Sequence, residues 1–134
     1  MALGVAFGAF GAHALKSRLD AYSMNVYEKA VFYHFVHALG ILFVALLART
    51  SAIPVAGQAR VGWLLLIGIV LFSGSLYALA ISGVRILGAI TPIGGIAFIT
   101  GWLVLLYEAG RAPSGLAALR AALEFLHFLQ AAAA

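Results

Sequence analysis

The sequence contains no cysteine and little charge: among 134 residues there are four acidic side chains and eight lysines or arginines, 9% in all. The missing thiols exclude disulfides, thiolate metal sites and cysteine nucleophiles, and leave the redox compartment open. Soluble domains carry about 25% charged residues. With 65% hydrophobic residues as well, water is excluded as the main solvent of this chain. A net charge of +4 would suit nucleic acid, but the basic residues are scattered singly and the aromatic residues sit inside apolar runs. That pattern gives no nucleic-acid surface.

What is present is a set of long uncharged runs. Residues 61–84 give 24 positions without a charge and residues 86–107 another 22. Each is long enough, at about 1.5 Å per residue, to cross a hydrocarbon core of about 30 Å. Lipid offers the backbone no hydrogen-bond partner, so two such runs separated by Gly83, Val84 and Arg85 predict an antiparallel helical hairpin. Residues 30–48 supply 19 uncharged positions and a further crossing, closed by Arg49. Residues 1–15 are apolar but fall short of the usual span, so the first crossing is short or truncated, or is not a crossing. Ala12-His13-Ala14 matches a signal-peptidase pattern, yet no basic stretch precedes the apolar part.

Between these runs, residues 16–29 form a polar connection in which Leu19, Tyr22, Val26 and Tyr27 can line a short helix lying in the interface. TSAIPVAGQA, with Pro54 and Gly57, reads as a turn-forming link. Pro92 falls a few residues inside the last helix of the hairpin, where it frees a carbonyl and invites a bend, with Thr91 placed to receive the freed group. From Gly110 the composition shifts to leucine and alanine, with Arg120, Glu124 and His127 on one helical face. Charge at mid-membrane costs about 2.5–3.5 kcal/mol per residue, so this tail is expected to lie in the interface or dock on a partner. The expected architecture is an all-α membrane protein: a four-helix transmembrane bundle over residues 1–109, with a C-terminal amphipathic or docked helix over residues 110–134.

Alternation of four crossings brings His13, His34, His37, Arg85, Thr91 and Pro92 into one half of the bundle, approached by Ser73, Ser75 and Tyr77. Three imidazoles can bind a metal, and one or two can ligate haem or shuttle a proton. No carboxylate lies inside a crossing to orient such a site, so simple hydrogen bonding near the helix ends is the preferred account, and no cofactor, metal or catalytic residue is assigned. Gly4, Gly8 and Gly11, and then Gly94 and Gly101, line helix faces with bare backbone suited to close contact. Gly74, between two serines, is read as small polar packing, and Gly94-Gly95 as contact glycines, since no phosphate-loop lysine comes after them. Lys16, Arg18, Arg49, Arg60 and Arg85 read as membrane-end anchors. The basic residues divide four against four between the two sides, so they set no orientation.

With GAFGAHALK at residues 8–16, YHFVHALGIL at 33–42, FSGSLYALAISG at 72–83 and LGAITPIGGIAFITGWL at 87–103, the chain resembles the DUF423 family of small bacterial membrane proteins, whose relatives include the eukaryotic transmembrane protein 256. The resemblance implies a four-helix membrane bundle and recurring positions at Gly8, Gly11, His13, Leu15, His37, Ala38, Leu39, Ser73, Gly74, Ser75, Tyr77, Thr91, Pro92, Gly94, Gly95 and Trp102. It implies no reaction. The expected role is a non-enzymatic accessory subunit of the bacterial plasma membrane, in contact with lipid and with other membrane subunits or its own copies. Two alternatives stand beside it: a redox, metal or haem-handling component using His13, His34 and His37, and, more weakly, a small transporter or proton path.

Overall fold

The structure is a computed structural model that describes residues 1–49, 53–111 and 123–124. Four helical rods make up the described chain: α1 (Ala2–Leu15), α2 (Ala21–Arg49), α3 (Val55–Ser82) and α4 (Thr91–Arg111). The last three are long and apolar enough to cross a membrane, and α1 is shorter. Among the described residues there is no strand.

α2 starts earlier than the polar composition of residues 16–29 predicts. Asp20 caps it, its Oδ1 accepting the Ser23 amide at 2.7 Å, and satisfies one of the donors left free at a helix start. From there the helix runs unbroken for 29 residues, about 43 Å, so its first turns rise beyond the hydrocarbon core. No separate interfacial helix forms. Val26 and Tyr27, expected on its lipid side, are buried among Leu15, Ala30, Tyr77 and Ala80, while Tyr22 stays exposed.

The link before α3 is also shorter than expected. Pro54, with extended backbone, precedes the first helical residue Val55, a position where its missing N–H costs nothing. Gly57 is therefore inside the helix. Gln58 Nε2 turns back to donate to the Ile53 carbonyl at 2.7 Å.

At the far end, α3 closes on Gly83, whose φ of 72° only glycine adopts without strain. Val84 is extended, and a 3-10 turn, Arg85–Ala89, leads into α4. The last helix thus begins at Thr91, and Pro92 occupies its first turn rather than its interior. The expected bend has no cause there, because the first-turn N–H that proline lacks has no partner within the helix. The tail, with the expected C-terminal helix, Arg120 and His127, lies outside the described residues apart from Leu123 and Glu124.

Two wide turns interrupt the rods. At Gly11–Leu15 the Lys16 amide reaches back five residues to the Gly11 carbonyl, and at Ile69–Ser73 the Gly74 amide does the same to Ile69. Such a turn inserts one residue and rotates the rest of the rod about its axis. The effect on α3 is visible in its partners: the half before the wide turn packs chiefly on α4, and the half after it on α2.

Large apolar side chains cover the outer surface, while several polar ones are buried. Ile96, Ile99, Leu103 and Leu106 are 60–70% exposed on α4, as are Phe32 and Trp63 elsewhere, whereas His34, His37, Ser73, Ser75 and Glu108 are buried. In water a band of this kind would drive aggregation; in lipid it is the natural solvent-facing surface.

Candidate functional site

One cluster of polar side chains lies between α1, α2 and the second half of α3. Tyr27 is fully enclosed, its ring opposite Gly11, where a Cβ would come within 2.5 Å of it. Its hydroxyl donates to the Phe7 carbonyl at 2.7 Å. Phe7 in turn stacks on Tyr77 with ring centres 4.6 Å apart, and Tyr27 lies 5.0 Å from the same ring. The Tyr77 hydroxyl is 3.4 Å from His34 Nδ1, a long contact.

One turn further along α2, His37 has different company. Its Nδ1 lies 2.7 Å from the Tyr33 carbonyl, which can only accept, so Nδ1 carries the hydrogen. The imidazole lies flat against Phe98, 3.3 Å between ring centres at 11°. Tyr33 and Phe72 close the aromatic stack. On α3, Ser75 donates to the Phe72 carbonyl at 3.0 Å and so accepts from Thr91 at 2.9 Å, tying the start of α4 to α3. Ser73 Oγ is fully buried and has no hydrogen-bond partner among the described residues.

The three imidazoles do not converge. His34 and His37 are buried, but His13, on the wide turn that ends α1, is exposed. Among the described residues no group of three or more histidine, aspartate or glutamate side chains is placed to hold a metal ion. The principal surface grooves are lined by other residues, and none of them by a histidine.

Bare backbone faces side chains at several of the small positions. Gly4, Gly8 and Gly11 sit against Phe35, Val31 and Tyr27, one face of α2 taken in reverse order. Gly101 meets Leu64 and Leu65; Gly95 meets the Phe72 ring. Gly94 lies so close to α3 that a Cβ would strike the Phe72 backbone itself, and a Cβ on Gly68 would enter the Phe98 ring. Gly74 has open room by comparison, its nearest neighbour being the Ile69 carbonyl at 3.9 Å.

Lys16, Arg18, Arg49 and Arg85 are exposed at rod ends, but Arg60 does more than anchor. Its Nη2 meets Glu108 Oε1 at 2.6 Å, and the Glu108 side chain is only 6% exposed against 60% for Arg60. Gly57 makes the space: a Cβ there would come within 2.8 Å of the Glu108 carboxyl carbon. This pair is absent from a reading of single residues. The signal for it is that Arg60 and Glu108 lie nearly equidistant from Arg85 at the hairpin turn, which brings them to the same end.

The sequence model of the family described as "Protein of unknown function (DUF423)" matches residues 7–95. A UPF0382 membrane protein of Staphylococcus epidermidis is 54% identical over 103 residues, 77% of this chain and 82% of that protein. Another, from Staphylococcus saprophyticus, is 52% identical over 103 residues, covering 77% and 83%. The UPF0382 membrane protein YwdK of Bacillus subtilis is 46% identical over 107 residues, 80% of this chain and 86% of that one. No solved structure matches.

Proposed function

The chain belongs to the DUF423 family, and on that premise we propose that it is a non-catalytic structural subunit of the bacterial plasma membrane, acting by lateral packing on other membrane proteins or on its own copies. The observation that carries this reading is a polar interior turned inward, with Ser73 Oγ left unpartnered among the described residues. His34 is turned to Tyr77, His37 to the Tyr33 carbonyl, Ser75 to Thr91 and Glu108 to Arg60. Chemistry on a substrate needs convergent polar groups at the wall of a pocket, and the principal grooves reach none of the histidines. What remains for a partner is the outer surface, where Ile96, Ile99, Leu103 and Leu106 form one stripe along α4.

The absence of cysteine makes the test direct. Single cysteines at positions 96, 99, 103 and 106 are crosslinked in native membranes, and the products are identified by mass spectrometry. A defined partner or a dimer, formed from this stripe and not from Trp63 on another face, is the expected result. A lone monomer at every position, with no partner after extraction in mild detergent, removes the proposal.

A further inference from the structure

On the outer face between α1 and α2 lies a groove of about 420 Å³, within the range of about 300–1,000 Å³ typical of ligand pockets. Its floor is Gly8 and Gly11 on one side and Val31 and Phe35 on the other, and its mouth is flanked by Lys16 and Glu28. The two charged residues, Lys16 directly after α1 and Glu28 on α2, are exposed and have neither hydrogen-bond nor ion-pair partners for their side chains among the described residues. They do not pair with each other. Gly11 faces Tyr27, the neighbour of Glu28, and Lys16 lies five residues beyond Gly11 toward the same rod end. Phe35 is seven residues below Glu28 along α2, and Gly8 on α1 is eight residues before Lys16, so the apolar floor runs about 10–12 Å deeper into the bilayer.

We propose that this groove binds one phospholipid with an amine-bearing headgroup. The Lys16 ammonium takes the lipid phosphate, the Glu28 carboxylate takes the lipid ammonium, and an acyl chain lies over the glycine floor against Val31 and Phe35. The vertical order of the site, charges at the mouth and apolar wall beneath, is the order of such a lipid in its leaflet. A lone cation would suit any anionic headgroup, as juxtamembrane lysines commonly do. A cation and an anion held apart across one groove instead match a zwitterion, because an anionic headgroup on Lys16 would meet the charge of Glu28.

The test uses the full chain reconstituted in vesicles of equal phosphatidylethanolamine, phosphatidylglycerol and phosphatidylcholine, with native mass spectrometry of the released protein. The wild type is expected to retain one phosphatidylethanolamine above its share of the bulk. Lys16→Gln and Glu28→Gln, both at exposed positions, should each cut that enrichment about fivefold. Gly8→Leu, where a Cβ meets Val31 only at ordinary contact distance, should abolish it by filling the groove. Arg85→Gln, on a separate cavity beside Asp20, should leave it unchanged. Thermal melting of each variant reports that it is folded. Retained lipid in bulk proportion for wild type and variants alike overturns the proposal, as does preferential phosphatidylglycerol, or an equal loss in Arg85→Gln.

Discussion

One face of α3, before its wide turn, meets α4 through Val61, Leu65 and Gly68 against Phe98, Gly101 and Leu105. The other, after the turn, meets α2 and α1 through Tyr77 and Ala80 against Tyr27, Ala30 and His34. The first seam closes by removal of side chains, glycines admitting Leu65 and the Phe98 ring to bare backbone, with one ion pair at its end. The second is built from aromatic rings and neutral hydrogen bonds. In lipid, burying apolar surface does not drive helices together, so association rests on close packing and on polar contacts. The two seams combine these means in different proportion on a single helix, and the inserted residue at Ile69–Ser73 is what turns one face of the rod from one partner to the other.

If shape holds the α4 seam, adding volume there should do the most damage. Gly94→Leu places a side chain into the Phe72 backbone, which cannot rotate away as a side chain does. We expect a loss of about 3 kcal/mol in thermal or denaturant unfolding in micelles, enough to reduce folded protein severely. Gly62→Leu, with nothing near the added Cβ, is the matched control and should be close to neutral. Equal stability of the two variants would show that the seam is not held by shape.

The same seam ends in Arg60 and Glu108, and here removing one partner should cost more than removing both. Arg60→Met leaves a buried carboxylate without its cation, a loss of about 1–3 kcal/mol given that Arg60 is itself half in solvent. The double variant Arg60→Met, Glu108→Met should recover most of it. A double-mutant cycle in unfolding free energy measures the coupling. A double variant no better than Arg60→Met alone would place the damage elsewhere than in the pair.

How much of the molecule is legible in its sequence divides along the same line. Uncharged runs locate the rods, because lipid forbids exposed backbone and charge, and the glycine spacings mark which faces are bare. Partners are another matter. Tyr27 reads as an interfacial ring because Glu28 and Lys29 come directly after it, yet the continuation of α2 through residue 21 buries it. Pro92 reads as a kink because the uncharged run begins at Ile86, while the 3-10 turn delays the helix to Thr91. The wide turns leave no mark in composition, and with them goes the phase of everything after residue 69. His13, His34 and His37 share an end of the bundle by topology, but only two of them share its interior.

On the aromatic seam the effects should be smaller. Tyr27→Phe loses the 2.7 Å bond to the Phe7 carbonyl and keeps the ring. Hydrogen bonds between helices in membranes contribute about 0.6 kcal/mol on average and at most about 1.7. We expect a loss in that range, with Tyr77→Phe below it because its contact to His34 is long. Tyr27→Ala, which empties the space opposite Gly11, should exceed both by removing the packing as well. A Tyr27→Phe cost larger than that of Gly94→Leu would reverse the ranking of the two seams.

The smallest effect belongs to the cap from which α2 begins, outside both seams. The Ser23 amide beside Asp20 holds its carboxyl below the ordinary value of 3.8. A carboxylate whose folded value is depressed stabilises the folded state fully above that ordinary value, and the contribution fades as pH falls through the lower folded value. The wild type should therefore lose a small part of its stability on acidification below about pH 4. Asp20→Asn keeps an oxygen that can accept from Ser23 but cannot titrate. Its melting temperature should track the wild type at neutral pH and show a weaker decline in acid. The Gly94→Leu deficit, by contrast, should be the same at pH 7 and pH 4, since no titrating group takes part in it. A wild-type acid decline unchanged by Asp20→Asn would assign that sensitivity to a different carboxylate.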